Sequence, residues 1–228
     1  CGTLFPYTTL FRSTLVGKML GAEGFTTWVG GNIGNPLLNE LPNIDPDDRV
    51  VMELSSFQLD LMSVSPEVAG VLNITPNHLD RHKTMAAYVA AKRNIVAHQG
   101  PEDVAVLGFD EPNARALAES TPAAVRYFSA LEAAEADVFL HDDALMLRRA
   151  GGLTEVCTRD TIQLRGFHNV LNVLAAIALA DAAGASVGAM REAIGAFTGV
   201  AHRLEIVRRW RDALWVNDSI ATAPERVI

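Results

Sequence analysis

Apolar runs alternate with stretches of helical period along most of this chain. Five short runs rich in Val, Ile and Phe, bounded by turn residues, are typical of buried strands. Between them, apolar residues recur every three or four positions, which indicates amphipathic helices. This alternation predicts an α/β fold built from βαβ units, with a mostly parallel sheet and flanking helices. The predicted strands are residues 26–29, 49–54, 68–74, 104–107 and 125–128.

Four helical stretches accompany these strands. Gly184 follows the alanine-rich last one and should end it. Residues 137–164 instead show short alternating segments broken by paired Asp and paired Gly, which predicts an antiparallel β patch. The predicted helices are residues 14–22, 85–98, 113–118 and 169–183.

A change of pattern after Gly199 predicts a domain boundary. Residues 204–207 and 213–216 are strand-like again. We therefore divide the chain into one domain over residues 14–199 and the start of a second domain over residues 200–228. Since Pro224 looks like the first residue of a further helix, we expect the second domain to be truncated.

The first thirteen residues look foreign to the rest. Residues 3–13 have the sequence obtained by translating a common sequencing-adapter oligonucleotide. We expect residues 1–13 to be a sequencing artefact and begin fold prediction at Thr14. The alternative is a natural apolar strand and turn.

The composition indicates which classes of partner and which cellular compartment to expect. The net charge of −8 and the absence of a Lys/Arg cluster argue against nucleic acid or an anionic membrane as main partner. No apolar run approaches the roughly 20 residues that span a bilayer, and no secretory signal is evident. We therefore expect a cytoplasmic, monomeric protein with a small-molecule substrate. Neither Cys1 nor Cys157 has disulfide or metal-site spacing, and we expect Cys157 to be a buried small hydrophobe.

Polar residues follow two successive predicted strands. Glu53 and Ser55 lie at the end of one strand, and His78 and Asp80 follow the next. Because ligands bind beyond the carboxyl ends of strands in open α/β sheets, these residues should share one rim. The oxygen atoms of Glu53 and Ser55 could hold Mg²⁺ there. Taken singly, each residue is better explained as a solvated or hydrogen-bonded loop residue, and only the occurrence of two such clusters after successive strands favours a site.

Three further features carry weaker signals. The glycine-rich residues 30–36 would let the backbone approach a phosphate or carbonyl, although a structural βα turn explains them as well. Lys92 lies in an alanine-rich helix, where an exposed lysine is the ordinary explanation. Asn169 and Asn172 lie one turn apart at a helix N-terminus, where their amides could read a base edge. Asn169 could instead simply cap the helix.

In combination and in order, these segments resemble the Mur ligases. The resemblance runs from Thr14 to the last residue and covers roughly half of a full enzyme. It implies a central ATPase domain, the start of a Rossmann-like C-terminal domain that binds glutamate, and a missing N-terminal domain that would hold a uridine nucleotide. The ELSSFQL string resembles the glutamate-adding member. The strings that carry the resemblance are GGNIGNPL, ELSSFQL, NITPNHLDRH, AAKRNI, GFHNVLNVLAAIALA, FTGVAHRLE and NDSIAT.

The resemblance implies a role for each candidate residue. Lys92, His78 and Asn32 would be catalytic. Glu53 and His78 would bind Mg²⁺, together with a carbamate formed when Lys92 reacts with CO₂. Asn32 would contact the acyl substrate. The remaining implied contacts are Asn169 and Asn172 to the adenine of ATP, Arg203 and Asp218 to its ribose and phosphate end, Ser55 near the metal and Thr222 near the incoming glutamate.

The implied reaction is ATP-dependent amide formation. ATP phosphorylates the terminal carboxylate of UDP-N-acetylmuramoyl-L-alanine, and the amine of D-glutamate then attacks the acyl phosphate. The family's GxxGK[ST] phosphate loop should stand immediately before Thr14, where this sequence has none. We therefore expect this polypeptide to be inactive although its parent is active. Ile220 stands where many relatives carry lysine, which leaves open whether the parent enzyme adds D-glutamate or L-glutamate.

Two other interpretations of the sequence remain open. One is a ligase similar to folylpolyglutamate synthase, which the SSFQL and HRLE strings disfavour. The other is a non-catalytic nucleotide-binding module or a gene fragment. The clustering of Glu53, His78 and Lys92 favours a catalytic ancestor, because a scaffold needs none of them.

Overall fold

The fold is an α/β arrangement, seen in a computed structural model that describes residues 9–32, 36–164, 166–199, 205–211 and 213–217. The strands are Thr27–Gly31 (β1), Arg49–Glu53 (β2), Val68–Val71 (β3), Val104–Gly108 (β4), Ala124–Ser129 (β5), Val138–His141 (β6), Ala144–Arg149 (β7), Gly152–Thr158 (β8), Glu205–Trp210 (β9) and Ala213–Asn217 (β10). The α-helices are Thr9–Glu23 (α1), Ser56–Leu59 (α2), Leu79–His82 (α3), Met85–Ala97 (α4), Pro112–Arg115 (α5), Phe167–Ala182 (α6) and Val187–Ala196 (α7).

The strands form three sheets within the described residues. β1 and β2 pair in parallel, and β3 to β8 form a six-stranded sheet in sequence order. The pairs from β3 to β6 are parallel, whereas β6, β7 and β8 are antiparallel. Both the mostly parallel sheet and the antiparallel patch predicted over residues 137–164 are therefore confirmed. β9 and β10 form an antiparallel hairpin of their own.

Helices cover both faces of the six-stranded sheet. On one face, α1, α6 and α7 bury a large apolar cluster that includes Leu15, Met19, Leu174 and Ile177. On the other face, α4 and the segment around α5 bury a smaller cluster centred on β3 and β4. Cys157 of β8 is 4% exposed and belongs to the larger cluster, as predicted. Strands buried on both faces explain why the sequence shows nearly continuous apolar runs.

An acidic residue on α6 ties that helix to the sheet. Asp181 has a side chain that is 4% exposed and forms ion pairs with Arg126 of β5 and Arg149 of β7. The Nε atom of Arg149 donates to Asp181 at 2.8 Å. Gly184 follows with a φ of 96°, the conformation expected of the glycine that ends a helix.

The first helix begins earlier than the sequence predicted. We excluded residues 1–13 from the fold, but α1 starts at Thr9, and Phe11, Arg12 and Ser13 are buried. The ring of Phe11 lies edge-on to Phe197, with centroids 4.9 Å apart. The helix predicted over residues 14–22 therefore extends back to Thr9 in the structure, whereas the start of the first domain at Thr14 stays a prediction.

Helix α7 and the short helices α2 and α3 were not predicted. Ser186 caps α7 by accepting a hydrogen bond from the Ala189 amide, a local signal that the sequence does contain. Helices α2 and α3 have four residues each, too short for a periodic pattern. Within the described residues, no helix has the length and apolar character needed to cross a membrane.

Candidate active site

A cleft of about 1440 Å³ opens between β2 and β3 and collects most of the described candidate residues. Glu53 lies at the carboxyl end of β2, and Lys92 reaches the cleft from α4. The candidate residues that line it are Asn32, Glu53, Ser55, His78 and Lys92. Of the four residues predicted to share one rim, Glu53, Ser55 and His78 line this cleft, whereas Asp80 is not among its lining residues.

The ends of β1 and β2 are held together closely. The Asn32 amide donates to the Glu53 carbonyl at 2.8 Å. Gly31 has a φ of 117°, and a Cβ atom placed on it would lie 2.2 Å from the same carbonyl oxygen. Only glycine fits at this approach. The glycine-rich turn thus fixes the Asn32 backbone beside Glu53, which is 7% exposed.

Lys92 is not the exposed helical lysine that its local sequence suggests. Its side chain is half-buried, and Nζ lies 5.4 Å from the centroid of the Tyr88 ring. Burial lowers the pKa of Lys92, and repulsion by Arg12 lowers it further, while attraction to Glu53 partly opposes both. The result is an amine that loses its proton more readily than a solvated lysine does, which suits a nucleophile.

His78 and Ser55 lie on the cleft in different settings. His78 is exposed, has a φ of 53°, and lies edge-on to Phe57 with ring centroids 5.2 Å apart. The Ser55 hydroxyl accepts from the Gln58 backbone amide, and the Ser55 backbone amide donates to Gln58 Oε1 at 2.8 Å, which forms a capping box for α2. Ser55 therefore has a structural role that its position on the rim did not reveal.

Asn169 and Asn172 do not line the cleft, but they lie at the buried interface of α6 and α1 next to Arg12, which does line it. Arg12 Nη1 donates to Asn172 Oδ1 at 3.0 Å, and Asn172 Nδ2 donates to Asn169 Oδ1 at 3.3 Å. The alternative in which Asn169 caps the helix is wrong, since Gly166 is the cap residue and no side-chain cap bond forms. Nothing in the local sequence predicts the contact with Arg12.

Asn73 is a cleft residue that sequence reasoning did not select. It follows β3, and its Nδ2 atom is buried without a hydrogen-bond partner among the described residues. The neighbouring Ile74 is held on both sides, because its amide donates to Glu111 Oε2 and its carbonyl accepts from Asn113 Nδ2. A buried donor without a partner costs free energy, so Asn73 is a candidate ligand contact.

The side chains at the rim provide only part of the set of ligands that a hard cation such as Mg²⁺ needs. Glu53 offers carboxylate oxygen, which Mg²⁺ prefers. Among the described residues, no three His, Cys, Asp or Glu side chains converge on a possible metal position. Further oxygen ligands would have to come from elsewhere, and a carbamate on Lys92 has the right chemistry to supply one. Arg203, Asp218 and Thr222 lie outside the described residues.

The sequence of this chain is similar to a known protein family and to known relatives. The Mur ligase middle domain matches residues 13–180. The chain is 45% identical over 218 residues to the UDP-N-acetylmuramoylalanine--D-glutamate ligase of Symbiobacterium thermophilum, covering 95% of this chain and 48% of that protein. It is also 45% identical over 217 residues to the same-named protein of Acetivibrio thermocellus, covering 95% of this chain and 46% of the relative. The chain thus spans about half the length of these relatives.

The fold agrees with this match. A crystal structure of MurF from Acinetobacter baumannii superposes with a TM-score of 0.72 at 22% identity, covering 94% of this chain and 49% of that one. At this identity the likeness concerns the fold alone. Since the middle-domain match extends over more than half of the residues, this chain belongs to the Mur ligase family.

Proposed function

We propose that this chain is the central part of an ATP-dependent ligase that adds D-glutamate to UDP-N-acetylmuramoyl-L-alanine in peptidoglycan precursor synthesis. The observation that carries the proposal is the 45% identity, over 95% of the chain, to relatives named for that reaction. The convergence of Glu53 and Lys92 on one cleft supports it. Activity is proposed for the longer parent protein, a cytoplasmic monomer with ATP and Mg²⁺ as cofactors.

Lys92 and Glu53 have complementary tasks in this proposal. The neutral amine of Lys92 attacks CO₂, an N–C bond forms, and a proton passes to solvent, which leaves a carbamate. Glu53, His78 and this carbamate would hold Mg²⁺, which supplies positive charge beside a transferring phosphoryl group. The lowered pKa of Lys92 favours the first step because only the neutral amine is nucleophilic.

The other candidate residues position substrates in this proposal. Asn32 contacts the acyl substrate, whose carboxylate becomes an acyl phosphate before the amine of glutamate attacks. Asn169 and Asn172 contact adenine, which requires Arg12 to release Asn172 because the two are hydrogen-bonded. The remaining proposed contacts are Arg203 and Asp218 to the nucleotide, Ser55 near the metal and Thr222 near glutamate.

The chain itself should not catalyse ligation. The sequence contains no GxxGK[ST] string, so it lacks the loop whose backbone amides and lysine hold ATP phosphates in this family. We expect no product from the purified chain with ATP, Mg²⁺, UDP-N-acetylmuramoyl-L-alanine and D-glutamate. Product that disappears in Lys92→Ala would refute this expectation.

The test of the proposed function uses the longer parent protein. We expect it to form amide product from radiolabelled D-glutamate, with a rate at least about 100-fold lower in Lys92→Ala. Lys18→Ala, at an exposed position of α1, is the matched control and should keep full activity. A parent that consumed only L-glutamate would overturn the D-glutamate assignment. One that instead extended a folate acceptor would overturn the muramoyl substrate.

A further inference from the structure

His82, the last residue of α3, contacts the candidate active site from outside it. It is not among the residues that line the cleft, whereas its neighbours Ser56, Phe57 and Tyr88 all line it. Its Nε2 atom and the Ser56 hydroxyl share a hydrogen bond of 2.9 Å. Its ring stacks on the Phe57 ring, with centroids 5.2 Å apart and an interplanar angle of 3°, and its centroid lies 5.3 Å from that of Tyr88. His82 therefore affects the cleft through these neighbours.

Two of these neighbours lead on to candidate catalytic residues. Phe57 meets the His78 ring edge-on, with centroids 5.2 Å apart. The ring centroid of Tyr88 lies 5.4 Å from the Lys92 Nζ atom. These contacts form a continuous series of rings that runs from His78 to the Lys92 amine. His82 lies in the middle of this series and connects its two halves.

The short helices that carry these rings need support from side chains. α2 and α3 have four residues each, too few for a helix to be stable by itself. His78 precedes α3 as its N-cap residue, is exposed and forms no side-chain cap bond. Ser56 is 4% exposed, and its hydrogen bond with His82 joins α2 to α3 across 26 positions of the chain. This bond and the stacked rings therefore set the position of Phe57 relative to His78.

A histidine suits this position because one side chain makes both contacts. Its planar ring stacks on an aromatic neighbour, and its ring nitrogen pairs with a buried hydroxyl. Phenylalanine would keep the stacked ring but leave the Ser56 hydroxyl without this partner. Leucine would lose both the stacked ring and the hydrogen bond. A comparison of the two substitutions therefore isolates the ring contact.

We propose that His82 is a positioning residue of the candidate active site, which holds the His78 ring through Phe57 and the Lys92 amine through Tyr88. The inference rests on the proposed function for the roles of His78 and Lys92. His82 itself contacts neither nucleotide nor acyl substrate. Its loss would leave both candidate catalytic side chains present but displaced, and a displacement of about 1 Å can lower a rate by about 100-fold.

Nuclear magnetic resonance of this chain tests the positioning without nucleotide, metal or substrate. The side chains are isotopically labelled, and nuclear Overhauser cross-peaks are measured from the Phe57 ring to the His78 ring and from the Tyr88 ring to the Lys92 side chain. We expect His82→Leu to lose these cross-peaks. We expect His82→Phe to keep them, because only phenylalanine preserves a ring that packs against its two aromatic neighbours.

Kinetics of the longer parent protein test the consequence for catalysis. We expect His82→Leu to lower kcat by about tenfold or more, with little change in the KM of ATP, and His82→Phe to recover most of the rate. His98→Leu, at the exposed C-cap of α4, is the matched control and should keep both the cross-peaks and the rate. A purely structural residue would instead lower the fraction of folded enzyme and leave kcat per folded molecule unchanged.

Two outcomes would refute this role of His82. One is a set of cross-peaks that persists at full intensity in His82→Leu. The other is an unchanged kcat per folded molecule in the same variant of an active parent. If the unaltered parent forms no product, the proposed function fails, and the cross-peaks alone decide whether His82 positions these side chains. If His82→Leu does not fold, Ser56→Ala/His82→Leu removes the unpaired hydroxyl and is compared with Ser56→Ala/His82→Phe.

Discussion

At the scale of single residues, burial changes what a side chain can do. Lys92 lies in an alanine-rich helix that looks solvated, yet its surroundings lower its pKa. Because the folded protein then binds the Lys92 proton less tightly than the unfolded chain does, the contribution of Lys92 to the free energy of unfolding rises with pH. That contribution is complete only above the ordinary value of 10.5 and is lost as the pH falls toward the lowered pKa.

Replacement of Lys92 by methionine should therefore stabilise the chain most at neutral pH. We expect the gain in unfolding free energy over the unmodified chain to shrink between about pH 7 and about pH 10, measured by urea denaturation. Lys18→Met, on an exposed position of α1, is the control and should show no such trend. A gain from Lys92→Met that stays constant with pH would contradict the lowered pKa.

Asn73 offers a second test at this scale. An apolar isostere that replaces a buried donor without a partner relieves a cost of about 1–3 kcal/mol, so Asn73→Leu should raise the free energy of unfolding of the free chain. Asn94→Leu is the matched control, because Asn94 Nδ2 donates to the Leu59 carbonyl at 2.9 Å and its loss should destabilise the chain. If both variants lose similar stability, Asn73 has a structural partner and is not a ligand contact.

At the scale of elements, the first turns of α1 decide whether residues 9–13 belong to the fold. Phe11 is 2% exposed and contacts Phe197, the residue that ends α7. We expect Phe11→Ala to cost about 3–5 kcal/mol of unfolding free energy. A double-mutant cycle with Phe197→Ala should show a coupling of about 0.5–1.5 kcal/mol.

The control for this prediction is an apolar residue outside the core. Leu131 is 70% exposed, so Leu131→Ala should change the unfolding free energy by less than about 0.5 kcal/mol. A Phe11→Ala variant as stable as Leu131→Ala would mean that the start of α1 does not pack in solution. Residues 1–13 would then be excluded from the fold, as the sequence first suggested.

At the scale of the whole molecule, we predict that residues 14–199 and 200–228 belong to different domains. β9 and β10 form their own hairpin, whereas α7 and its C-cap residue contribute Met190, Ile194 and Phe197 to the main core. A chain cut after Gly199 should keep cooperative unfolding, with a Tm within about 4 °C of the full chain by calorimetry. A chain cut after Gly184 loses α7 and should not unfold cooperatively. Loss of cooperativity in the first truncation would disprove the boundary.

The sequence by itself determined the elements whose burial repeats with a fixed period. The strands β1 to β5, the helices α4 and α6, the antiparallel patch and the burial of Cys157 all follow from local patterns. The shared rim of Glu53, Ser55 and His78 followed as well, since residues at the ends of parallel strands meet at one edge of a sheet. Each of these features depends on residues that are neighbours in the chain or on a general rule of topology.

Only the tertiary structure decided what the side chains contact. The hydrogen bond from Arg12 to Asn172 joins residues 160 positions apart, and no periodicity records such a pair. Likewise, the pKa of Lys92 depends on its burial and on the charges of Arg12 in α1 and Glu53 in β2, and the buried amide of Asn73 depends on the loop held by Glu111. The break between β2 and β3 is also a property of strand pairing. Pairing and desolvation are set by distant segments, and local sequence does not contain them.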